Sequence, residues 1–142
     1  MTQADYRADA QNCFVCGPKN PIGLKIPFEL DGLRCVGQFT AAPEHVGFDG
    51  VTHGGIVFSV LDDLMANWIF LQGGKGFTAK CDIRYREPLP VGVTVNLSCE
   101  VEQIKRRLVQ LSSKATRIDT GNVVAEANAS FMVDEFGNID IS

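Results

Sequence analysis

Residues 56–71 place the strongest constraint on the fold, because they are apolar apart from Ser59, Asp62, Asp63 and Asn67. The stretch falls short of the roughly 20 apolar residues that a membrane-spanning helix needs, which predicts a helix in the protein interior. Its apolar side chains point in almost every direction around the helix axis, so one packing face does not cover them. The rest of the chain must therefore enclose this helix.

Alternating apolar and polar residues on both sides of this helix predict strands. Before it, alternation over residues 24–30 and 33–39 flanks an Asp31-Gly32 turn, which indicates a hairpin. After it, four further alternating runs cover residues 77–85, 93–101, 109–115 and 123–133. Such alternation is typical of antiparallel sheets with one covered face. We therefore expect an α+β domain, with an antiparallel sheet of about six strands wrapped around one long central helix.

A sheet that wraps a single helix leaves an edge strand with unpaired backbone groups. Pairing that edge with a second copy of the chain is one way in which natural proteins satisfy these groups. We therefore predict a homodimer, and the sequence leaves open whether two dimers join into a tetramer.

The length and charge of the chain narrow the classes of protein to consider. Its 142 residues suit one domain, residues 1–142, whose first twenty residues we expect to be loosely structured. The formal net charge of -4 disfavours broad nucleic-acid binding, which needs a basic surface. Residues 1–12 contain no apolar leader segment, which predicts a cytoplasmic protein that does not associate with a membrane.

Gly54 and Gly55 stand at the predicted start of the helix, directly after His53. Each glycine costs roughly 1 kcal/mol relative to alanine within a helix, so the pair needs another explanation. One explanation is close packing of the helix against a strand. The other is that bare N–H groups at the positive end of the helix dipole receive a carbonyl oxygen or an oxyanion. We expect His53 to order this turn.

Asp62 and Asp63 are adjacent in the chain, so a helix places their carboxylates on different faces. Asp63 aligns with Ser59 and Asn67 on a polar stripe of the helix, and we interpret it as structural. Asp62 has apolar neighbours on its face, where desolvation raises the pKa of a carboxylate toward values that suit a general base. We favour Asp62 as a functional residue. The alternative is that Asp62 is structural and that its carboxylate accepts a hydrogen bond from a nearby hydroxyl or amide.

Other reactive residues support weaker hypotheses. Cys13 and Cys16 form a Cys-x-x-Cys pair, but no second pair follows, so a zinc site is the less favoured interpretation and we expect neither metal nor cofactor. The odd count of five cysteines indicates free thiols. The cluster Lys105-Arg106-Arg107 predicts a strand turn, which is either solvated or in contact with nucleotide phosphates. The Gly-x-Ser-x-Gly pattern of serine hydrolases is absent.

Four groups of residues carry a family resemblance that covers nearly the whole chain. They are Cys13-Phe14-Val15-Cys16-Gly17 with Asn20-Pro21-Ile22-Gly23-Leu24, Gly50-Val51-Thr52-His53-Gly54-Gly55, Leu61-Asp62, and Ile83-Arg84-Tyr85 with Glu87-Pro88-Leu89. With these motifs the chain resembles the hotdog-fold acyl-CoA thioesterases of the phenylacetate-pathway (PaaI-like) and thioesterase-superfamily type. The resemblance implies a hotdog fold and hydrolysis of an acyl- or aryl-CoA thioester. The chain departs from some relatives at Gly47, where they carry an asparagine.

The resemblance also implies roles for individual residues, in active sites that lie between the subunits of a dimer. Asp62 is implied as general base or nucleophile, and the amides of Gly54 and especially Gly55 as the oxyanion hole. Thr78 is implied to position water, although uniform alternation places it on the outer face of its strand. A subunit interface or a β-bulge would remove that conflict. Residues expected to contact substrate are Gly54, Phe48, Lys80, Arg106 and Arg107. The alternative function is a non-catalytic acyl-CoA-binding protein.

Overall fold

The computed structural model describes residues 8–140 of the chain. It has one long helix, α1 (Gly54–Phe70), and short 3-10 turns at Ala8–Ala10 and Pro43–His45. The six strands are β1 (Glu29–Asp31), β2 (Arg34–Thr40), β3 (Lys75–Tyr85), β4 (Thr94–Lys105), β5 (Leu108–Arg117) and β6 (Val123–Glu135). All neighbouring strands pair antiparallel in the order β1-β2-β4-β5-β6-β3. The predicted sheet of six strands around one long helix is confirmed.

Helix α1 packs across one face of the sheet and contacts five of its strands, β2 to β6. Its buried residues are Val57, Val60, Leu61, Leu64, Met65, Asn67, Trp68 and Ile69. Facing them are inward residues of the strands, such as Val95 and Leu97 on β4 and Val109 and Leu111 on β5. Full burial of one such side chain contributes about 1.5–3 kcal/mol, so this contact forms the core and holds the helix in place.

Part of the N-terminal segment packs in the core, although the sequence predicted a loosely structured segment over residues 1–20. Val15 and Cys16 are buried among the apolar residues of the core. The carbonyl groups of Phe14 and Val15 accept hydrogen bonds from Leu24 and Ile26 at 2.8 and 2.9 Å. Residues 1–7 of the predicted segment lie outside the described residues.

The predicted strand over residues 24–30 is wrong for most of its length, since only Glu29–Asp31 pair with β2. Lys25 has a φ of 54°, which interrupts the extended conformation, and Pro27 has no N–H to donate to a strand ladder. The alternation of residues 24–28 reflects burial instead, because Ile26 points into the core.

The ends of α1 lie close to their predicted positions. The helix begins at Gly54 and ends at Phe70, against a prediction of residues 56–71. Gly73 follows with a φ of 81°, a conformation that favours glycine, and its N–H donates to the Phe70 carbonyl at 3.0 Å. None of the helices within residues 8–140 has the length and apolar character required to cross a bilayer.

The two edges of the sheet differ in length. β1 contributes three residues at one edge, whereas β3 contributes eleven at the other. Phe77 and Tyr85 on β3 are 58% and 52% exposed, so the long edge presents apolar side chains as well as unpaired backbone groups.

Candidate functional site

Asp62 and Thr78 form a hydrogen-bonded pair between α1 and β3 of the same chain. The Thr78 hydroxyl donates to Asp62 Oδ1 at 2.8 Å, and both residues are half-buried. Burial raises the pKa of Asp62 above its ordinary value, and the hydrogen bond from Thr78 opposes part of that rise. The pair therefore places a carboxylate with increased proton affinity beside a hydroxyl, an arrangement that suits proton transfer.

A β-bulge in β3 turns Thr78 toward the helix. Thr78 pairs with Phe131 of β6, whereas Lys80 pairs with the preceding residue, Ser130, so Ala79 has no partner in the register. An extra residue in one strand reverses the side-chain alternation beyond it. The placement of Thr78 on the same face as Lys80, which uniform alternation predicts, is therefore wrong. The structure has Thr78 facing inward and both Ala79 and Lys80 exposed.

His53 caps the N-terminus of α1. Its Nδ1 accepts a hydrogen bond from the Gly55 N–H at 2.8 Å, so the ring carries no proton on Nδ1 in this conformation. A Cβ on residue 55 would lie 3.0 Å from that nitrogen, and the missing side chain gives the ring its space. Gly47 lies against the same histidine, since a Cβ there would be 3.3 Å from the His53 Cα.

Gly54 offers a second backbone amide at this helix end. Within residues 8–140, no acceptor for the Gly54 N–H is found, whereas its carbonyl accepts a hydrogen bond from the Tyr85 hydroxyl at 2.8 Å. The Gly54 amide thus remains available to an oxyanion, and the Gly55 amide is engaged by the His53 ring. Sequence reasoning assigned no role to Tyr85, because no spacing rule connects a strand residue with a helix end thirty-one positions earlier.

A cavity of about 590 Å³ opens beside the N-terminus of α1. Its apolar walls come from Phe48, Val57, Tyr85, Pro88, Leu89 and Val124. The cavity falls in the size range of small-molecule sites, about 300–1,000 Å³, and its apolar lining suits an acyl or aryl group. Thr52 also lines it, with a buried Oγ1 that has no hydrogen-bond partner among residues 8–140. Phe48 is 84% exposed.

Asp62 and the helix N-terminus do not converge within one chain. Gly55 and Asp62 are seven positions apart on α1, which corresponds to about 11 Å along the helix axis. A reacting carbonyl within hydrogen-bond reach of the Gly54 and Gly55 amides is therefore too far from the Asp62 carboxylate of the same chain.

The predicted basic contacts lie on exposed strands and turns. Lys80 forms an ion pair with Asp82 at 3.6 Å. Arg106 occupies the turn between β4 and β5 with a φ of 57°, and Arg107 pairs with Asp134. These residues are not brought together with Asp62 by any contact within the described part of the chain.

Cys81 is a second ionisable group near Asp62. Burial raises its pKa to about 11, with smaller contributions from the charges of Asp62 and Asp82. A thiol with this pKa is protonated at neutral pH and is a poor nucleophile.

The long helix, the antiparallel six-stranded sheet and the apolar helix-end cavity define the hotdog fold of the thioesterase class. The Escherichia coli PaaI protein from the phenylacetic acid degradation operon shares it with a TM-score of 0.71 and 20% identity, over 77% of this chain and 79% of that chain. A hypothetical thioesterase from Streptococcus pneumoniae, solved with coenzyme A, shares it with a TM-score of 0.70 and 18% identity, over 77% and 90%.

Sequence similarity identifies the family. Residues 49–124 match the model of the thioesterase superfamily, and the chain belongs to that family. It is 33% identical over 100 residues to the acyl-coenzyme A thioesterase THEM4 of Xenopus laevis, an alignment that covers 70% of this chain and 45% of that protein. The chain thus spans less than half the length of this relative.

Proposed function

We propose that this chain hydrolyses an acyl- or aryl-CoA thioester to a free acid and CoA, with Asp62 as the general base. The observation that carries the proposal is the contact of Thr78 with Asp62 at 2.8 Å, because it holds a desolvated carboxylate in a defined orientation. Two further structures of the Streptococcus pneumoniae protein carry alanine in place of an aspartate and of a threonine. Those two residues have the same separation, 16 positions, as Asp62 and Thr78.

The reaction follows from the properties of these groups. Asp62 takes a proton from a water molecule, and the resulting hydroxide attacks the thioester carbonyl carbon. The oxygen of the tetrahedral intermediate accepts hydrogen bonds from helix N-terminal amides. Collapse of the intermediate breaks the carbon–sulfur bond, and the proton held by Asp62 passes to the departing CoA sulfur. Thr78 orients the carboxylate, and its oxygen lone pairs remain available to accept a hydrogen bond from the water.

A second copy of the chain supplies the oxyanion hole in this proposal. The separation of about 11 Å between Asp62 and Gly55 along α1 rules out joint action within one chain. β3 carries Thr78 and forms the long open edge of the sheet. Antiparallel pairing of this edge with its counterpart would give a homodimer, in which Gly54 and Gly55 of one copy face Asp62 of the other.

The substrate class rests on the chemistry of the surrounding surface. The apolar cavity near Phe48 and Tyr85 accommodates an acyl or aryl group. Lys80, Arg106 and Arg107 are exposed cations that we assign to the phosphates of CoA. Relatives named acyl-coenzyme A thioesterases agree with this assignment.

A binding protein without turnover is the second candidate. The observation in its favour is that the Gly55 N–H already donates to His53 Nδ1, so one of the two predicted oxyanion donors is occupied in this conformation. Hydrolysis then requires the His53 ring to release that amide when substrate binds.

Thiol release from short-chain, long-chain and aryl-CoA substrates tests the proposal. We expect turnover by the wild type and a loss of about 10²–10⁴-fold in Asp62→Ala. The control is Asp31→Asn, which alters an exposed aspartate of the β1 edge and should leave turnover unchanged. Size-exclusion chromatography verifies that all variants keep the same assembly. Wild-type protein that binds CoA esters in calorimetry but releases no thiol would establish the binding protein and overturn the hydrolase.

A further inference from the structure

Cys13, Cys16 and Asp63 converge between the N-terminal segment and α1. One oxygen of Asp63 and the two sulfur atoms all lie within 4.8 Å of one another. Cys13 Sγ is 3.6 Å from Asp63 Oδ1, although the two residues are 50 positions apart in the chain. The sequence provided only the Cys-x-x-Cys pair, and the fold adds a third group of a type that binds metals.

The turn that carries the two cysteines is closely constrained. The Cys16 N–H points at Cys13 Sγ at 3.5 Å, and the two sulfur atoms lie within 4.8 Å of each other. Gly17 closes the turn with a 2.9 Å hydrogen bond from its N–H to the Cys13 carbonyl. A Cβ on residue 17 would lie 2.2 Å from the Cys13 nitrogen, so only glycine fits there. The backbone of the turn therefore holds the two cysteines next to each other.

Asn67 supports the cluster from one helical turn further along α1. It is fully buried, and its Nδ2 donates to the Asp63 carbonyl at 2.8 Å and to Asp63 Oδ2 at 3.1 Å. The same nitrogen lies 3.8 Å from Cys16 Sγ. Hydrogen bonds from a buried amide to groups that bind a metal are the usual means of orienting them.

One ligand pair of the cluster has the separation expected in a tetrahedral metal site. Zinc binds thiolate sulfur at about 2.3 Å and carboxylate oxygen at about 2.0 Å. In a tetrahedron these bond lengths place sulfur and oxygen about 3.5 Å apart. The distance from Cys13 Sγ to Asp63 Oδ1 is 3.6 Å, so this pair needs almost no movement to bind the ion.

We propose that Cys13, Cys16 and Asp63 form a binding site for a divalent cation of intermediate softness, with Zn²⁺ as the ion. Two sulfur ligands disfavour Mg²⁺ and Ca²⁺, which take oxygen ligands, and favour zinc among the remaining divalent cations. Three protein ligands leave a fourth position for a water molecule. The ion would tie residues 13–17 to the helix residue directly after Asp62 and thereby fix the N-terminal segment on α1.

Metal binding to the full chain tests the proposal, with the protein kept reduced by a reductant that does not bind metals. After chelation and dialysis, Zn²⁺ is added and protein-bound metal is measured by elemental analysis. We expect one zinc ion per chain, and an affinity at least about 100-fold weaker in Cys16→Ser and in Asp63→Asn. Cys35→Ala provides the matched control, because Cys35 is a buried cysteine on β2 outside the cluster and should retain full binding.

A second measurement uses a spectroscopic signature of the bound metal. Co²⁺ bound by thiolates shows a sulfur-to-metal charge-transfer band, which we expect in the wild type and not in Cys13→Ser. A folded wild-type chain that binds neither ion, or that binds them equally well after Cys16→Ser, would overturn the site. Thioester hydrolysis is assayed separately, so failure of either proposal is recognised independently of the other.

Discussion

Asp62 and Asp63 are adjacent in the chain, yet their carboxylates belong to two different environments. Asp62 meets one hydroxyl, that of Thr78, on a strand at the open edge of the sheet. Asp63 meets Asn67 and two cysteines of the N-terminal segment. The rotation of about 100° between consecutive helix residues produces this separation.

The two carboxylates differ in how far hydrogen bonds from the protein compensate their loss of water. Asp63 accepts a hydrogen bond from the buried Asn67 and contacts Cys13 of the N-terminal segment. Asp62 is desolvated with a single donor, which leaves its charge partly uncompensated. We therefore expect the Asp63 carboxylate to stabilise the fold, and the Asp62 carboxylate to be reactive at a cost in stability.

The largest effect on stability is expected on the Asp63 side. Asn67→Ala removes a fully buried amide and its hydrogen bonds to Asp63, so the free energy of unfolding should fall by about 2–3 kcal/mol. Urea denaturation in the presence of a chelator measures this without a contribution from bound metal. Asn128→Ala changes an exposed asparagine of β6 and should stay within about 0.5 kcal/mol of the wild type. Equal losses in the two variants would contradict the assigned role of Asn67.

A smaller effect is expected on the Asp62 side when Thr78 loses its hydroxyl. Thr78→Val should lower kcat/KM about tenfold at neutral pH, the equivalent of roughly 1.4 kcal/mol. Because the hydroxyl lowers the pKa of Asp62, its removal should also move the acidic limb of the pH–rate profile to higher pH. Thr78→Ser keeps the donor and should leave that limb in place. A profile that stays the same in Thr78→Val would refute the coupling.

The smallest effect concerns the stability cost of Asp62. The folded chain holds the Asp62 proton more tightly than the unfolded chain does, since burial raises its pKa above the ordinary 3.8. The stability that this provides is fully present below pH 3.8 and is lost as the pH rises through the raised value. Asp62→Asn should therefore increase the free energy of unfolding slightly at neutral pH, and the increase should vanish as the pH falls toward 3.8.

Denaturation of Asp62→Asn at neutral and acidic pH checks this prediction. Asp31→Asn serves again as the exposed control, for which no such pH-dependent gain is expected. A clear loss of stability in Asp62→Asn at neutral pH would mean that Asp62 is a structural residue, and the contrast with Asp63 would disappear.

Local patterns were sufficient to predict most of the fold. Period-two alternation located β2 to β6, and the apolar run of residues 56–71 located α1 to within two residues at its start. The same rule misled over residues 24–28, because a segment that buries every second side chain in the core alternates as a strand does, even where Lys25 interrupts the extended backbone. Burial produces the alternation in both cases, and the sequence carries no mark of which partner accepts the backbone hydrogen bonds.

The site was less accessible to sequence reasoning, because its contacts depend on distant segments. The sequence Thr78-Ala79-Lys80 gives no indication of the bulge, since the extra residue is an alanine and not a glycine. The contact between Cys13 and Asp63 spans 50 positions and leaves no local signature. The spacing of Asp62 and Asp63 did separate their faces, because helix geometry is periodic and needs no tertiary information.

The unequal edges of the sheet also bear on how far self-association can proceed. A chain with two long open edges adds new copies at both ends and grows into fibres. Here β1 offers three residues at one edge, too few to template a further strand, and β3 alone offers a long one. In the proposed dimer, pairing through β3 would use the same surface on both copies, so the assembly would close after the second copy and leave only the short β1 edges open.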